Sequence, residues 1–390
     1  MKNHIHSQER KKLIRTAAIP GSLQHLLKGQ LRFLNQYYEV VGVASPGKPL
    51  QLLEKNEGIR TVPVNIERAI SPFKDVVSLY KLYLLFRKEK PFMVHSITPK
   101  AGLLSMVAAY YARVPKRVHT FTGLLFPTQK GFMKKLLLFL DKVICYCATH
   151  VYPEGNGVKN DLVNYKVTKK PLKVIANGNV NGVNLQYFNP DLFNLEKTLS
   201  IRQKYQLSDS NFVFVYVGRF VNDKGINELV NAFCSLTMTN KNVKLLLVGG
   251  FRGESDLLPK QTLDKITTHE QIITVGHQTD IRPFLMVANA FVLPSYREGF
   301  PNVVLEAGAM GLPSIVTNIN GSNEIITHGE NGVIIPSKDE DALLQAMSTF
   351  VTDRKLVNTL AHNARPMIAS RFERNYVWKA VLEEYMRIEA

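Results

Sequence analysis

The sequence has few cysteines and lacks a long apolar run, and each absence excludes a class of protein. Three cysteines in 390 residues cannot build a disulfide framework, so a buried core must hold the fold. Cys145 and Cys147 fall in a segment predicted to be a strand, without further ligands at metal-site spacing, which favours buried thiols. The longest apolar stretch, 136–148, is interrupted by charge and is too short to span a bilayer. Residues 1–12 are polar and basic, which predicts no signal peptide.

Acidic residues are scarce in the first half of the chain. Residues 1–190 carry 29 Lys and Arg against 10 Asp and Glu, a net charge of +19, whereas residues 191–390 carry 20 against 22, a net charge of −2. This asymmetry predicts that the first half faces a polyanion, either nucleic acid, an anionic membrane or a phosphorylated acceptor. Solvated lysines that keep the protein soluble are the alternative.

Apolar segments of strand length alternate with longer segments of helical period. Strands are predicted at 38–45, 93–97, 117–121, 144–153, 172–177, 212–218, 243–250, 272–276, 290–295, 313–318 and 332–336. Helices are predicted at 23–36, 73–90, 102–113, 226–238, 281–288, 302–310 and 340–352. Strands that are apolar throughout, with helices between them, form parallel sheets covered on both faces. The sequence therefore predicts an α/β protein with two Rossmann-like, doubly wound parallel-sheet domains, residues 1–185 and 186–372, facing across a cleft.

Two cations follow the predicted strand FVFVYV. That strand ends at Gly218, Arg219 comes next, and Lys224 and Gly225 stand just before a helix. Ligands bind at the carboxyl ends of parallel strands, and an Arg fork with a Lys point charge suits a diphosphate. Glycines there let the backbone turn tightly and approach a ligand. A solvated turn is the alternative.

A second loop, in the segment PSYREGFPNVVLEAGAMGLP, carries two glutamates. Glu298 lies on the loop, Pro301 is placed to open a helix, and Glu306 follows within that helix. The helix N-terminus offers free N–H groups and a positive dipole end, which favour an anion. Ionised carboxylates accept hydrogen bonds and so orient polyols such as a sugar or a ribose. Apolar neighbours predict a buried Glu306, which would need a partner; a solvated helix residue is the alternative.

The motifs VGRFVNDKG and EGFPNVVLE, in this order, resemble the retaining glycosyltransferases of the GT-B fold, family 4. The resemblance extends from about Gly21 to about residue 350 and is closest to enzymes of bacterial capsule or lipopolysaccharide repeat units. It implies a nucleoside-diphosphate sugar donor, with uridine the expected base and no metal or other cofactor. The donor-site residues that it implies are Gly21, Gly218, Arg219, Lys224, Glu298, Gly299, Phe300, Pro301, Asn302 and Glu306. Of these, Arg219 and Lys224 would hold the diphosphate, Glu298 the sugar and Glu306 the ribose.

The acceptor side is less clearly marked. His95 and Lys100 follow a predicted strand, and His119 lies in the next one. Many members of the family carry a histidine where this chain has Thr122, so no general base is carried over from them. The leaving diphosphate can take the acceptor's proton instead, with leaving-group stabilisation by the two cations as the main catalytic effect.

Two further segments have competing interpretations. Asp339-Glu340-Asp341 superficially matches an Asp-x-Asp metal motif but is predicted to cap a helix N-terminus. The segment 130–142, KGFMKKLLLFLDK, is predicted either to rest on an anionic membrane or to pack in the core with a basic edge exposed.

The resemblance and the basic first half together predict the setting of the enzyme. We expect an N-terminal acceptor-binding domain, a C-terminal donor-binding domain, and a final helix at 373–390 that packs back on the first domain. The expected acceptor is a polyprenyl-diphosphate-linked saccharide met by a cytoplasmic enzyme at the inner membrane, without nucleic acid. A sugar-nucleotide epimerase or phosphorylase of the same fold, and a non-catalytic sugar-nucleotide-binding protein, are the alternatives.

Overall fold

The structure is a computed structural model that describes residues 10–67, 71–251 and 256–390. They form two α/β units. One contains the described residues up to 181 together with residues 375–390, and the other contains the described residues between 182 and 374.

The first unit is built on a six-stranded parallel sheet of order β3-β2-β1-β4-β5-β6. Its strands are β1 Lys12–Thr16, β2 Glu39–Ala44, β3 Arg60–Pro63, β4 Met93–Ile97, β5 Lys116–Phe121 and β6 His150–Pro153. Its helices are α1 Pro20–Leu26, α2 Gln30–Leu34, α3 Lys48–Glu57, α4 Pro72–Glu89, α5 Pro99–Tyr111, α6 Gly131–Cys147 and α7 Asn156–Asn164. The order reverses between β1 and β4, where Arg15 is paired with His95.

The second unit repeats this plan with the order β12-β11-β10-β7-β8-β9. Its strands are β7 Phe212–Arg219, β8 Val243–Gly250, β9 Ile272–Gly276, β10 Ala290–Leu293, β11 Ser314–Thr317 and β12 Gly332–Ile335. Its helices are α8 Leu195–Lys204, α9 Ile226–Thr239, α10 Lys260–Thr268, α11 Arg282–Val287, α12 Asn302–Ala309, α13 Ser322–Ile325, α14 Glu340–Thr352 and α15 Arg354–Phe372. The order reverses between β7 and β10, and in such sheets this switch point is where ligands bind.

The predicted fold class is confirmed, because both sheets are parallel and carry helices between successive strands. The core strands are buried on both faces: every residue of β4 and of β10 is buried. This burial explains why β10 is apolar throughout and does not alternate. The two polar residues of β4, His95 and Ser96, are buried with the rest of that strand and are hydrogen-bonded.

Several predicted elements of the first unit are wrong. The predicted strand 144–153 is helix α6 as far as Cys147, so the two buried thiols lie on a helix, and only residues 150–153 form a strand. An apolar run without clear period does not distinguish the two structures. The predicted strand 172–177 forms only isolated bridges. Strands β1 and β3 were not predicted, because β1 is short and contains Lys12 and Arg15 and β3 begins at Arg60.

The predicted helix 23–36 is two helices, because Gly29 between them adopts φ +82°. A Cβ atom on Gly29 would lie 2.7 Å from Cη2 of Trp378. Trp378 belongs to the final helix, α16 Arg374–Glu389, most of which lies in the first unit. Its indole N–H donates to Asn181 Oδ1 at 2.8 Å, so the α1–α2 turn and the end of the chain share one packed contact.

Two other sequence interpretations can be compared with local structure. The Asp339 carboxylate accepts a hydrogen bond from the backbone N–H of Ala342 at 2.9 Å, so the predicted cap of α14 is confirmed. Within the three described segments, we find no helix that combines the length and the apolar character needed to cross a membrane.

We predict that Gly29→Ala destabilises the protein more than Gly58→Ala. Both glycines have positive φ, but the space around Gly58 is open whereas Gly29 contacts the indole of Trp378. Both substitutions carry a backbone cost of about 1 kcal/mol, and displacing the indole adds about 1–3 kcal/mol. Chemical unfolding of the two variants measures the difference. Equal free energies of unfolding would contradict the contact.

Candidate functional site

The loop after β7 presents cations at the switch point of the second unit. Arg219 is the last residue of β7, and its side chain is exposed. Lys224 ends a short 3₁₀ turn, Asn222–Lys224, and Gly225 alone separates it from α9. Both lie at the carboxyl end of the strand, as the sequence predicts.

Lys224 is paired with Glu298 of the loop after β10. The Lys224 Nζ lies 2.5 Å from Glu298 Oε1, and the two side chains are 17% and 14% exposed. Residues separated by 74 positions thus bring a cation and a carboxylate together, both mostly withdrawn from water. The sequence singles out both residues but does not predict this contact.

Gly225 allows the two loops to approach this closely. Its φ is +67°, and a Cβ atom there would lie 2.0 Å from the carbonyl oxygen of Pro294. Any larger residue at position 225 would have to push the loop after β10 away from α9. The glycine is therefore required by backbone conformation and by space.

Asp223 fixes the loop after β10 through backbone and side chain. Its carbonyl oxygen accepts hydrogen bonds from the backbone N–H of Tyr296 at 2.8 Å and from the Ser295 hydroxyl at 3.1 Å. Its carboxylate lies 3.1 Å from Arg297 Nη2. The Tyr296 hydroxyl in turn donates to Glu228 Oε1 at 2.5 Å. The sequence interpretation missed these residues, although Asp223 lies in VGRFVNDKG and the three residues 295–297 lie in the quoted segment 294–313.

The loop residues 299–301 lead into α12. Pro301 is the N-cap and precedes the first helical residue, Asn302, and its ring offers no side-chain hydrogen bond to the helix. Phe300 is buried, and a Cβ atom on Gly321 would lie 2.4 Å from the Gly299 carbonyl oxygen. The start of α12 is thus held against a neighbouring turn, and its dipole end favours an anion.

Glu306 is half-buried in the second turn of α12, less buried than its apolar neighbours predict. A second cluster lies near it. The Arg282 guanidinium stacks 3.6 Å from the ring centroid of Tyr187 and is paired with Asp280 at 2.6 Å. Burial, then Asp280, and to a smaller extent Glu306 raise the pKa of the Tyr187 hydroxyl. The sequence interpretation did not single out this cluster.

Comparison with known proteins identifies the family. The profile of the glycosyl transferases group 1 matches residues 198–367, and that of the glycosyl transferase 4-like family matches residues 20–152. The capsular polysaccharide biosynthesis glycosyltransferase CapM from Staphylococcus aureus is 34% identical over 362 residues, which cover 92% of this chain and 93% of that protein. The chain belongs to the group 1 glycosyltransferases. The predicted resemblance is confirmed.

Two further similarities extend this result. The UDP-Gal:alpha-D-GlcNAc-diphosphoundecaprenol alpha-1,3-galactosyltransferase from Escherichia coli is 33% identical over 313 residues, which cover 78% of each chain. The crystal structure of Anabaena Alr3699/HepE in complex with UDP superposes with a TM-score of 0.81 over 97% of this chain and 100% of that chain. At 19% identity, that likeness shows the fold, which is GT-B.

In this glycosyltransferase, Gly21 lies near the carboxyl end of β1, in the first turn of α1. The atom nearest to a Cβ built there belongs to His25, at 3.7 Å, which is ordinary contact. The structure therefore gives no steric reason for a glycine. Any role of Gly21 near the donor stays a prediction.

His119 is a core residue, contrary to the prediction that it belongs to the acceptor side. Its ring is 1% exposed, and Nδ1 forms a 2.8 Å hydrogen bond with the Ser96 hydroxyl. A Cβ atom on Gly102 would lie 2.3 Å from the ring, so α5 covers the histidine. Burial lowers the pKa of His119 to about 3. The ring is therefore neutral and closed off, which does not suit a general base.

His95 is also buried, but it borders a small cavity of about 30 Å³. Its Nδ1 lies 3.1 Å from Nη1 of the buried Arg15 and 2.5 Å from the Tyr385 hydroxyl of α16. Burial and the Arg15 charge hold the pKa of His95 well below its ordinary value. His95 thus accepts a hydrogen bond as a neutral ring and ties α16 to the sheet.

The other two predicted acceptor residues are more accessible. Lys100, in the first turn of α5, lies 2.6 Å from Asp75 of α4. Thr122 is half-buried and follows β5 directly.

The described residues contain no group of three or more His, Cys, Asp or Glu side chains that could hold a metal ion.

We predict that acid destabilises the protein partly through His119. The unfolded chain protonates this histidine below about pH 6.5, whereas the folded ring does so only near pH 3. The unfolded state therefore binds more protons between these values, and stability falls as the pH falls. From about pH 8 to about pH 5.5, His119 should account for about 1.4 kcal/mol of the loss.

The measurement is the free energy of unfolding of wild type and His119→Gln at these two pH values. Each protein is compared with itself, so that any packing change caused by glutamine cancels. The variant should lose less stability on acidification. An equal loss in both proteins would contradict a buried, neutral His119.

Proposed function

We propose that this glycosyltransferase moves a sugar, with retention of anomeric configuration, from a UDP-sugar to a polyprenyl-diphosphate-linked saccharide. The reaction would serve bacterial surface-polysaccharide biosynthesis. The observation that carries the proposal is the contact between Lys224 and Glu298 at the β7–β10 switch point. The contact supports the proposal because a lysine charge suits a phosphate and a carboxylate beside it suits the hydroxyls of a sugar.

In this proposal, donor binding replaces the Lys224–Glu298 contact. The donor diphosphate would take Lys224 and the exposed Arg219, and the hydroxyls of the sugar would take Glu298. The N–H groups at the start of α12 would add a positive dipole end. Because the two side chains neutralise each other without donor, neither charge stands unpaired in the partly buried site.

Catalysis would then rest on the leaving group. As the bond between sugar and diphosphate breaks, negative charge grows on the diphosphate, and Lys224 and Arg219 stabilise it. The acceptor hydroxyl attacks from the face that the diphosphate leaves, and its proton passes to a diphosphate oxygen. No side-chain base is needed in this step. This agrees with the burial of His119 and with the presence of Thr122 where many members of the family carry a histidine.

Glu306 would hold the ribose hydroxyls of the donor. It is half-buried and lies near the Tyr187–Arg282 stack, which is a polar and aromatic surface suited to a nucleoside. The uridine base is proposed from the family resemblance.

The proposed acceptor follows from one relative and from charge. The name of the E. coli relative specifies a diphosphoundecaprenol-linked acceptor, and the first half of this chain carries the +19 charge that would attract diphosphate and anionic lipid. We therefore place the enzyme at the cytoplasmic face of the inner membrane. Whether the transferred sugar is a hexose or an N-acetylhexosamine depends on the donor pocket.

We predict that Lys224→Ala lowers turnover by at least ~100-fold, on the scale of a lost oxyanion-hole donor. Transfer from radiolabelled UDP-sugars to a lipid-linked saccharide measures the rate. The control is Lys241→Ala, at an exposed position of the same unit before β8, which should keep wild-type turnover. Near-normal turnover of Lys224→Ala would contradict the assignment.

The same reaction tests the stereochemistry and the alternatives. NMR of the product should show the anomeric configuration of the donor sugar. An inverted product would contradict retention. An altered nucleotide sugar released without acceptor would indicate an epimerase, and UDP-sugar binding without any transfer would indicate a sensor.

A further inference from the structure

The helix α4 exposes an apolar stripe to solvent. Five large apolar side chains along it are between 47% and 90% exposed, although Ser78, Leu82 and Phe86 on its other side are buried. The exposed members are Phe73, Val76, Val77, Tyr80 and Leu84. Exposed apolar surface of this extent on one helix marks an interaction site.

Cations accompany the stripe along its whole length. Lys74, Lys81 and Lys88 repeat every seven residues, and all three are exposed. Arg87 continues the stripe one turn after Leu84. An apolar face with lysine and arginine beside it is typical of helices that lie in the membrane interface.

Helix α6 carries a second stripe of the same composition. This stripe is formed by five exposed residues at helical spacing, Phe132, Lys135, Phe139, Lys142 and Tyr146. Helix α5 packs between α4 and α6, and its last residues, Tyr110 and Tyr111, form a ring cluster with Tyr146. The three helices therefore form one face, which we call the α4–α6 face. Tyrosines and lysines suit it to the boundary between headgroups and acyl chains.

A cationic cavity lies where α4 and α5 end. Its volume is about 730 Å³. The charged residues that line it are Arg10, Lys11, Lys12, Arg87, Lys90 and Arg113, with Glu39 and Glu89. Lys12 is paired with Glu89 at 2.7 Å, and Lys11 is paired with Glu389 at 3.1 Å. Since six cations line the cavity against two carboxylates, it keeps an excess of positive charge. Arg87 belongs both to the cavity and to the α4 stripe.

We propose that the α4–α6 face docks on an anionic phospholipid bilayer, with lipid phosphates held in this cavity. The apolar side chains enter the headgroup region, and the cations meet the lipid charge. A second copy of the chain is a poor occupant, because pairing two such faces would oppose lysine to lysine. This proposal rests on the proposed function, which places the enzyme at a membrane, and it names the surface that makes the contact. Vesicle binding tests that surface without any enzymatic reaction.

The experiment is co-sedimentation of the full chain with two kinds of vesicle. One contains phosphatidylcholine alone, and the other adds about 30% phosphatidylglycerol. We expect wild type to bind the anionic vesicles and to lose much of this binding at about 0.5 M salt. Phe73→Ser with Tyr80→Ser, and separately Arg87→Glu with Lys90→Glu, should each weaken binding by ~10-fold or more.

The control variant is Leu195→Ser with Met238→Ser, which removes two comparably exposed apolar side chains from the second unit. It should bind vesicles as wild type does. Circular dichroism and sugar transfer to a water-soluble, short-chain acceptor should be unchanged in all three variants, since none touches the donor site.

Four outcomes would overturn the proposal. The first is that wild type does not bind anionic vesicles, and the second is that the variants of the α4–α6 face bind them as well as wild type does. The third is that the control variant loses as much vesicle binding as the face variants do. The fourth is that wild type dimerises as its concentration rises and the face variants do not. Failure of the proposed function is a different result: wild type would bind vesicles as expected and transfer no sugar to either acceptor.

Discussion

The contact between Lys224 and Glu298 is the interaction on which the donor site depends. It joins the loops after β7 and β10, and it forms only because Gly225 leaves room for Pro294. The parallel pairing of β7 with β10 brings these loops to one edge of the sheet, and Asp223 fixes them there. The strand order thus places the two loops side by side, and the charged side chains on these loops form the proposed site for a diphosphate beside a sugar.

Much of this arrangement could be predicted from the sequence. Buried parallel strands are apolar throughout, so their alternation with helices indicates the α/β class, and glycine with a cation after a strand marks the ligand edge. Lys224 is predicted in this way, and Glu298 is predicted as a carboxylate on the loop between a later strand and a helix N-terminus. Their direct contact is not, because a sequence contains no signal for which side chains of two loops meet across 74 positions.

Parts of the first unit could not be predicted from the sequence, for two physical reasons. A helix such as α6 that is apolar near its end has the same local pattern as a buried strand, and only its tertiary neighbours decide. His119 shows the second reason. From the sequence alone, a histidine on a strand is as consistent with a catalytic role as with a place in the core. Here Gly102 on α5 leaves room for the buried ring. Likewise, the contact of Arg15 with Tyr385 joins residues 370 positions apart, beyond the reach of any local motif.

The central claim is that the switch point of the second unit binds a uridine nucleotide through Lys224. Its most direct test is thermal unfolding of wild type and Lys224→Ala with UDP, GDP and ADP in turn. At 100 times its dissociation constant, a ligand adds about 2.7 kcal/mol of stability, which raises the midpoint visibly. We predict that UDP raises the midpoint of wild type and not that of the variant. No shift with any nucleotide, or an equal shift with UDP in both proteins, would contradict the account.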